Sequence, residues 1–297
     1  MKQKTIRPRL ACEITSEGVI AARASDKSPR LEVFTSRRLA EGAIAPGLTV
    51  PNILDAGALR AALGGALGAV AGKSRDVIVI LPDVAIRMML LDFEALPTKS
   101  EEIGPVIRFR LKKSLPFDVD NAVLSYDVTR SNGTVRAVAA VAPREIIEEY
   151  EKAFRAVGYE PGVILPSSLA ALGLVEGERP TLVLKVDHMN ITITAVQHQE
   201  LRLVRTLDNQ HGGNFSASDL TEAVLPSIVF FEDTFSAHIE KIYVGGLAPL
   251  AEVGPLLHQQ TGAQVEELAP ELSAEQNLSG ESVSPSSMAG IVGALLG

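Results

Sequence analysis

Short alternating and apolar runs, separated by turn residues, open the chain. They predict a three-stranded meander over Leu10 to Ile14, Val19 to Ala24 and Leu31 to Leu39. Asp55 follows as a helix N-cap for an Ala- and Leu-rich segment at 56–70, and the continuous apolar run at 76–81 predicts a buried central strand. This succession is typical of an α/β domain.

From about residue 97 to 160 the pattern becomes helix, strand, strand, helix. Ser100 is predicted as an N-cap because two glutamates follow it, and acids stabilise a helix start. Ser131-Asn132-Gly133 is a strong hairpin signal between two alternating runs, and Pro143 and Gly158 flank the second helix. The pattern predicts an inserted α-β-β-α subdomain.

The second half repeats the opening pattern after a polar segment at 176–180. Three further strands are predicted, at Thr181 to Val186, Ile191 to Val196 and Leu201 to Thr206. Helices are predicted at Leu220 to Phe235 and Leu250 to Thr261, and the strand at Ile239 to Val244 runs into Gly245-Gly246. We therefore predict two domains, at 1–178 and 179–297, with the inserted subdomain in the first.

Composition narrows the class of protein. The chain has 297 residues, of which 46% are hydrophobic and 22% are charged, which suits two well-packed domains and excludes bulk disorder. The net charge of −8 disfavours nucleic acid as a partner, since phosphates repel an acidic protein. The single cysteine, Cys12, fits a reducing compartment and a small core residue.

Hydropathy gives no sign of membrane insertion. No apolar run approaches the roughly 20 residues that span a bilayer, and no signal-peptide core follows the basic N-terminus. We expect a cytosolic protein whose membrane association is borrowed from a partner or made at its surface. The basic group around Arg108, Arg110, Lys112 and Lys113 is either a solvated helix face or a contact for acidic lipid headgroups or a partner protein.

The central part of the chain carries a succession of short, specific segments: Ile80-Leu81-Pro82-Asp83 to Arg87, Phe93 to Pro97, Arg108-Phe109-Arg110-Leu111, Leu115-Pro116-Phe117 and Ser125-Tyr126-Asp127. In these segments the chain resembles PilM, a type IV pilus assembly family within the actin-like ATPase superfamily. The likeness spans nearly the whole chain and is strongest from about residue 77 to 165 and from about 220 to 266. It implies an actin/Hsp70-like fold of duplicated ribonuclease-H-like domains.

In that superfamily ATP and Mg²⁺ are held by glycine hairpins with an Asp-Ile-Gly pattern, because only glycine lets backbone N–H groups approach phosphate closely. The first hairpin here, Glu13 to Gly18, has Glu13 for the aspartate and Thr15 for the glycine. The second retains Asp187 and Thr192 but has Met189 for the glycine. The third element, Gly245-Gly246, matches and would contact the adenosine.

The altered motifs disfavour catalysis, so no catalytic residue is assigned and a pseudo-ATPase is expected. If nucleotide binds, the resemblance assigns it to Asp187, Thr192, Gly245 and Gly246, with Asp187 on Mg²⁺. Asp187 as a turn former and Gly245-Gly246 as an ordinary strand-to-helix turn stay open as alternatives.

The resemblance implies a cytoplasmic scaffold that binds the N-terminal peptide of PilN, an inner-membrane protein, between the first domain and its inserted subdomain. Other pilus platform proteins are further partners. The residues predicted to contact the partner are Arg87, Leu90, Arg108, Arg110, Leu115, Pro116 and Phe117. An active actin-like ATPase and a cytoplasmic component of a type II secretion system are the alternatives.

Overall fold

Two five-stranded sheets with the same strand order form the framework of the molecule. The structure is a computed structural model, and it describes residues 7–131, 134–208, 215–272, 276–278 and 283–297. The strands are β1 Leu10–Thr15, β2 Gly18–Ala24, β3 Leu31–Arg38, β4 Asp76–Leu81, β5 Arg87–Phe93, β6 Ala122–Ser131, β7 Thr134–Pro143, β8 Glu160–Pro166, β9 Thr181–Val186, β10 Asn190–Gln197, β11 Glu200–Asp208, β12 Lys241–Gly246 and β13 Gln264–Glu267. The helices are α1 Ala56–Ala69, α2 Ser100–Leu111, α3 Arg144–Arg155, α4 Ser167–Ala171, α5 Ala217–Phe235, α6 Leu250–Thr261 and α7 Ala289–Leu296.

The two large sheets are duplicates in topology. The first has the order β3-β2-β1-β4-β8 and the second β11-β10-β9-β12-β13. In each, a three-stranded antiparallel meander is followed by two parallel strands, β4 and β8 in one and β12 and β13 in the other. This duplication is the repeat that the sequence pattern predicted.

Helices cover the sheets on their apolar faces. In α1, Asp55 accepts a hydrogen bond from the backbone N–H of Ala58 at 2.8 Å, which confirms the predicted N-cap. In α5, Ser216 and Asp219 form a capping box, so this helix begins three residues before the predicted start. Helix α7 packs on the first sheet although it follows the second along the chain.

The inserted region differs in extent from the prediction. Strand β5 precedes residue 97 but joins β6 and β7 in a three-stranded sheet of order β5-β7-β6. Helix α3 instead packs its apolar face, with Ile146, Tyr150 and Phe154, into the core of the first sheet. We call β5, α2, β6 and β7 the inserted unit.

Three local predictions concerned Ser100, the hairpin between β6 and β7, and Cys12. Ser100 is the first residue of α2 and not its N-cap. Lys99 is at the N-cap position, and its side chain makes no capping hydrogen bond. The predicted hairpin joins β6 to β7, which pair antiparallel, but residues 132–133 of its turn lie outside the described residues. Cys12 is fully buried in the first core, as predicted, and burial raises the pKa of its thiol.

Within the described parts of the chain, no helix combines the length and apolar character needed to cross a membrane.

Candidate functional site

Two hairpin turns face each other where the two large sheets meet. The β1–β2 turn carries Glu17, and the β9–β10 turn carries His188. The carboxylate Oε1 of Glu17 lies 2.5 Å from Nε2 of His188. A side chain–side chain contact therefore joins the two turns at the mouth of the cleft, where the resemblance implies phosphate binding.

A buried polar group lies deeper in the cleft and joins the two sheets. Glu13 on β1 is only 2% exposed, and Lys185 on β9 is 11% exposed. The ammonium Nζ of Lys185 lies 3.6 Å from Oε1 of Glu13 and donates a hydrogen bond to Oγ of Ser167 at 2.5 Å. Ser167, the first residue of α4, donates in turn to Oε1 of Glu13. We call Glu13, Ser167 and Lys185 the cleft cluster.

Two further carboxylates contribute to the electrostatics of the cleft cluster. Burial alone would lower the pKa of the Lys185 ammonium, but Glu13, Asp83 and Asp187 together raise the pKa above its ordinary value. Burial raises the pKa of the Glu13 carboxyl, while Lys185 and Ser167 act against that rise. The ammonium thus supplies the positive charge among three acidic side chains.

Asp83 is fixed by the start of α4. Its Oδ1 accepts hydrogen bonds from the backbone N–H and the hydroxyl of Ser168, both at 2.9 Å. It is buried, and it follows β4 directly after Pro82. The carboxylate therefore lies at the end of a central strand, where it is held by the helix that leaves the first domain.

The residues predicted for nucleotide binding have partners within the chain. Oδ1 of Asp187 accepts a hydrogen bond from the backbone N–H of His188 at 2.6 Å, consistent with the turn-forming role. Thr192 is buried and accepts from Nδ2 of Asn190 at 3.0 Å. Both side chains therefore accept hydrogen bonds from within the β9–β10 hairpin.

Packing requires glycine at position 246. Gly246 has φ +76°, and a Cβ at this position would lie 2.1 Å from the carbonyl oxygen of Val186. The hydroxyl of Ser286 donates to the carbonyl oxygen of Gly246 at 3.2 Å. The close contact of strand β12 with strand β9, together with the chain segment before α7, thus accounts for glycine at position 246 without a nucleotide.

The cleft does not fit Mg²⁺ with a nucleotide triphosphate. An ammonium already lies among the carboxylates that would attract the cation, and Glu17 and His188 contact each other where phosphates would enter. Among the residues that the structure describes, no group of three or more His, Cys, Asp or Glu side chains is arranged to hold a metal ion. We derive no chemistry through a nucleotide.

A different opening lies between the inserted unit and the edge of the first sheet. It encloses about 220 Å³, and we call it the slot. Its lining is mainly apolar and comprises Ile86, Val123, Ser125, Ala140, Ala142, Ile147, Glu151, Pro161, Gly162, Val163, Ile164 and Pro166. One wall is β8, the edge strand of its sheet, on which Val163 is 38% exposed.

The structure does not bring the seven predicted partner-binding residues together. Arg87 and Leu90 line a separate groove against the second domain, with Phe230 and Phe235. Arg108 donates hydrogen bonds to the carbonyl oxygens of Val119 and Ala122. These contacts hold α2 against the start of β6.

The other four predicted residues lie at and beyond the end of α2. Leu115 and Phe117 pack against the apolar core of the inserted unit, whereas Arg110 and Pro116 are exposed. None of the seven lines the slot. Sequence reasoning missed β8 as its wall because Pro161 and Gly162 interrupt the strand pattern of this segment.

Comparison with known proteins gives matches at the level of structure. No protein-family model and no curated protein sequence matches the chain. The structure of a PilM–PilN type IV pilus biogenesis complex matches with a TM-score of 0.79 at 19% identity, over 97% of this chain and 98% of the other. The cytoplasmic domain of EpsL, an inner-membrane component of the Vibrio cholerae type II secretion system, matches with a TM-score of 0.56 at 13% identity, over 97% and 94%.

A third match is the ethanolamine utilization protein EutJ from Carboxydothermus hydrogenoformans. Its TM-score is 0.50 at 9% identity, over 99% of this chain and 92% of the other. These likenesses confirm the predicted fold, because the chain shares its overall architecture with these three proteins of actin-like fold.

Proposed function

We propose that this chain is a cytoplasmic scaffold of a type IV pilus assembly platform, which binds the N-terminal peptide of a PilN-like inner-membrane protein. The observation that carries the proposal is the open apolar slot between the inserted unit and the edge strand β8. The similarity of the whole chain to the PilM–PilN structure supports it.

The slot has the features that an extended peptide needs. An edge strand offers backbone N–H and C=O groups for main-chain hydrogen bonds, and alternate side chains of an added strand enter pockets. Ile86, Val123 and Ile164 supply apolar walls for such side chains. The proposed partner segment is therefore extended and apolar at alternate positions.

Other surfaces are proposed for further platform proteins. Arg87 and Leu90 lie in the groove against the second domain, and Arg110 and Pro116 are exposed at the far end of the inserted unit. The net charge of −8 argues against nucleic acid among these partners. Attachment to the inner membrane is proposed to occur through the PilN-like protein.

Filling the slot should weaken binding of a PilN-type leader peptide. Ser125 is exposed and lines the slot, so Ser125→Trp places a large ring in it with little effect on folding. We expect calorimetry to give at least about tenfold weaker binding than for the parent chain. Lys113→Trp adds the same ring at an exposed position outside the slot and should bind like the parent. A parent chain that binds no leader at high micromolar concentration would contradict the proposal.

Nucleotide turnover is not part of the proposed function. ATP titration of the chain, with and without Mg²⁺, is expected to show no micromolar binding, because Lys185 and the contact between Glu17 and His188 occupy the cleft. Micromolar binding that Asp187→Ala abolishes would overturn this and favour an active ATPase.

A role in a type II secretion system is the second candidate, since the EpsL cytoplasmic domain matches over nearly the whole chain. The same calorimetry separates the two candidates when leaders from a pilus system and from a secretion system are titrated in parallel. Preference for the secretion leader would favour this second candidate.

A further inference from the structure

The slot opens into a second and larger groove. This groove encloses about 570 Å³, and Ser125 and Ala140 line both openings. We call it the outer groove. An extended chain advances about 3.3 Å per residue, so a peptide that fills the slot and continues past Ser125 enters the outer groove within a few residues.

The outer groove has walls from both domains. The inserted unit contributes Tyr126 and Asp127. Residues 172–180, which connect α4 to β9 and which we call the interdomain segment, contribute Leu172 and Glu176. The second domain contributes the β10–β11 hairpin, with Val196, Gln199 and Leu201. A peptide here contacts the second domain as well as the first, which the slot alone does not allow.

The charges in the outer groove all have one sign. Its described lining includes Asp127, Glu176 and Glu200 and contains no Lys, Arg or His. Glu200 is neutralised by Arg202, with Nη2 and Oε2 2.9 Å apart. Asp127 and Glu176 are exposed, and neither makes an ion pair or side-chain hydrogen bond within the described parts of the chain.

The two openings thus differ in the side chains they favour. The slot is walled by apolar residues, and its single charged lining residue, Glu151, already pairs with Arg155 at 3.0 Å. The outer groove offers two carboxylates without a cation, one on the inserted unit and one on the interdomain segment. Cationic side chains there can pair with these carboxylates, whereas an acidic side chain is repelled.

We propose that the peptide in the slot continues into the outer groove with a segment that carries lysine or arginine, which pairs with Asp127 and Glu176. This inference rests on the proposed function and specifies the chemistry of the partner. The bound peptide then bridges the inserted unit, the interdomain segment and the β10–β11 hairpin.

Three forms of one PilN-type leader peptide test the proposal by fluorescence anisotropy. All keep the same apolar segment, and the adjoining segment carries two lysines, two serines or two glutamates. We expect the lysine form to bind about tenfold more tightly than the serine form at about 0.05 M salt, and the gain to shrink at about 0.5 M. The glutamate form should bind more weakly than the serine form.

The double variant Asp127→Asn, Glu176→Gln should remove the advantage of lysine and leave the serine form unchanged. Its matched control is Glu101→Gln, Glu145→Gln, which makes the same change in net charge at exposed positions away from both openings and should keep the advantage.

The outcomes separate this inference from the proposed function. Equal binding of the three forms to the parent chain, or a lysine advantage that survives in the double variant, overturns the outer-groove proposal and leaves the slot proposal standing. Failure of every form to bind the parent chain overturns both.

Discussion

Lys185→Met is expected to lower the free energy of unfolding by about 3–5 kcal/mol, the cost of breaking a buried ion pair by removing one partner. Methionine is close to lysine in length but leaves the Glu13 carboxylate without its cation in a site where that residue is only 2% exposed. Oε2 of Glu13 already lacks a hydrogen-bond partner within the described residues, so the variant leaves the carboxylate with the neutral Ser167 hydroxyl on Oε1 and no cation. Urea denaturation, followed by circular dichroism, measures the loss.

Two variants identify the cause of that loss. Adding Glu13→Gln to Lys185→Met removes the stranded charge, and we expect most of the stability to return. Lys152→Met removes an exposed lysine that lies 3.6 Å from Glu148, and it should cost less than about 1 kcal/mol. If Lys185→Met costs no more than Lys152→Met, the cleft cluster does not hold the two domains together.

The loss in Lys185→Met should also depend on pH in a defined direction. Burial raises the pKa of Glu13 in the folded chain, and removal of Lys185 takes away the strongest opposing influence. A folded-state pKa above the unfolded value means that the protonated carboxyl is favoured by folding, so stability rises as pH falls. The deficit of the variant relative to the parent is therefore expected to shrink on acidification.

The cleft cluster joins the two domains through side chains of the chain itself. Lys185 extends from β9 of the second domain to Glu13 and Ser167 of the first, in the region where the resemblance implies a metal and phosphates. A fixed ammonium provides the positive charge there, which an exchangeable cation would otherwise supply. The proposed scaffold would gain from this arrangement, because peptide binding in the slot would not depend on a nucleotide cycle.

Local pattern was sufficient to predict most of the framework. Alternating runs predicted both meanders, Asp55 predicted the start of α1, and Leu250 and Thr261 are the observed bounds of α6. These features depend on residues close together in sequence. Strand β13 was missed because Gln264–Glu267 is short, polar and half-exposed, so neither alternation nor apolar character distinguishes it from a loop.

The cleft cluster was harder to predict from the sequence. Lys185 follows four buried residues, and that pattern alone does not distinguish a strand-end lysine from one aimed at Glu13. Their contact depends on two strands, far apart in sequence, that meet only after both domains have formed. Gly246 shows a second difficulty, because one glycine satisfies both the nucleotide motif and a packing requirement, and the sequence alone does not distinguish the two.

Gly293→Ala is expected to destabilise the chain by about 3 kcal/mol, although alanine is the stronger helix former. A Cβ on Gly293 would lie 2.2 Å from the carbonyl oxygen of Ala170, which is backbone and has no rotamer to adopt. A Cβ on Gly173 would likewise lie 2.3 Å from the carbonyl oxygen of Gly293. The backbone of α7 therefore packs directly on α4 and the turn after it, where the chain leaves the first domain.

Gly68→Ala is the matched control for Gly293→Ala. Gly68 also lies inside a helix, but a Cβ at this position would meet no described atom within 4 Å beyond its own helix, so alanine should stabilise by up to about 1 kcal/mol. Opposite signs for the two variants in thermal and urea denaturation would show that close backbone packing, and not helix propensity, requires Gly293. A neutral Gly293→Ala would contradict the packing of α7 on α4. Helix α7 packs on α4 and on the start of the segment that carries Glu176. The Gly293 variant should therefore reduce the advantage of the lysine form of the leader more than it reduces binding of the serine form.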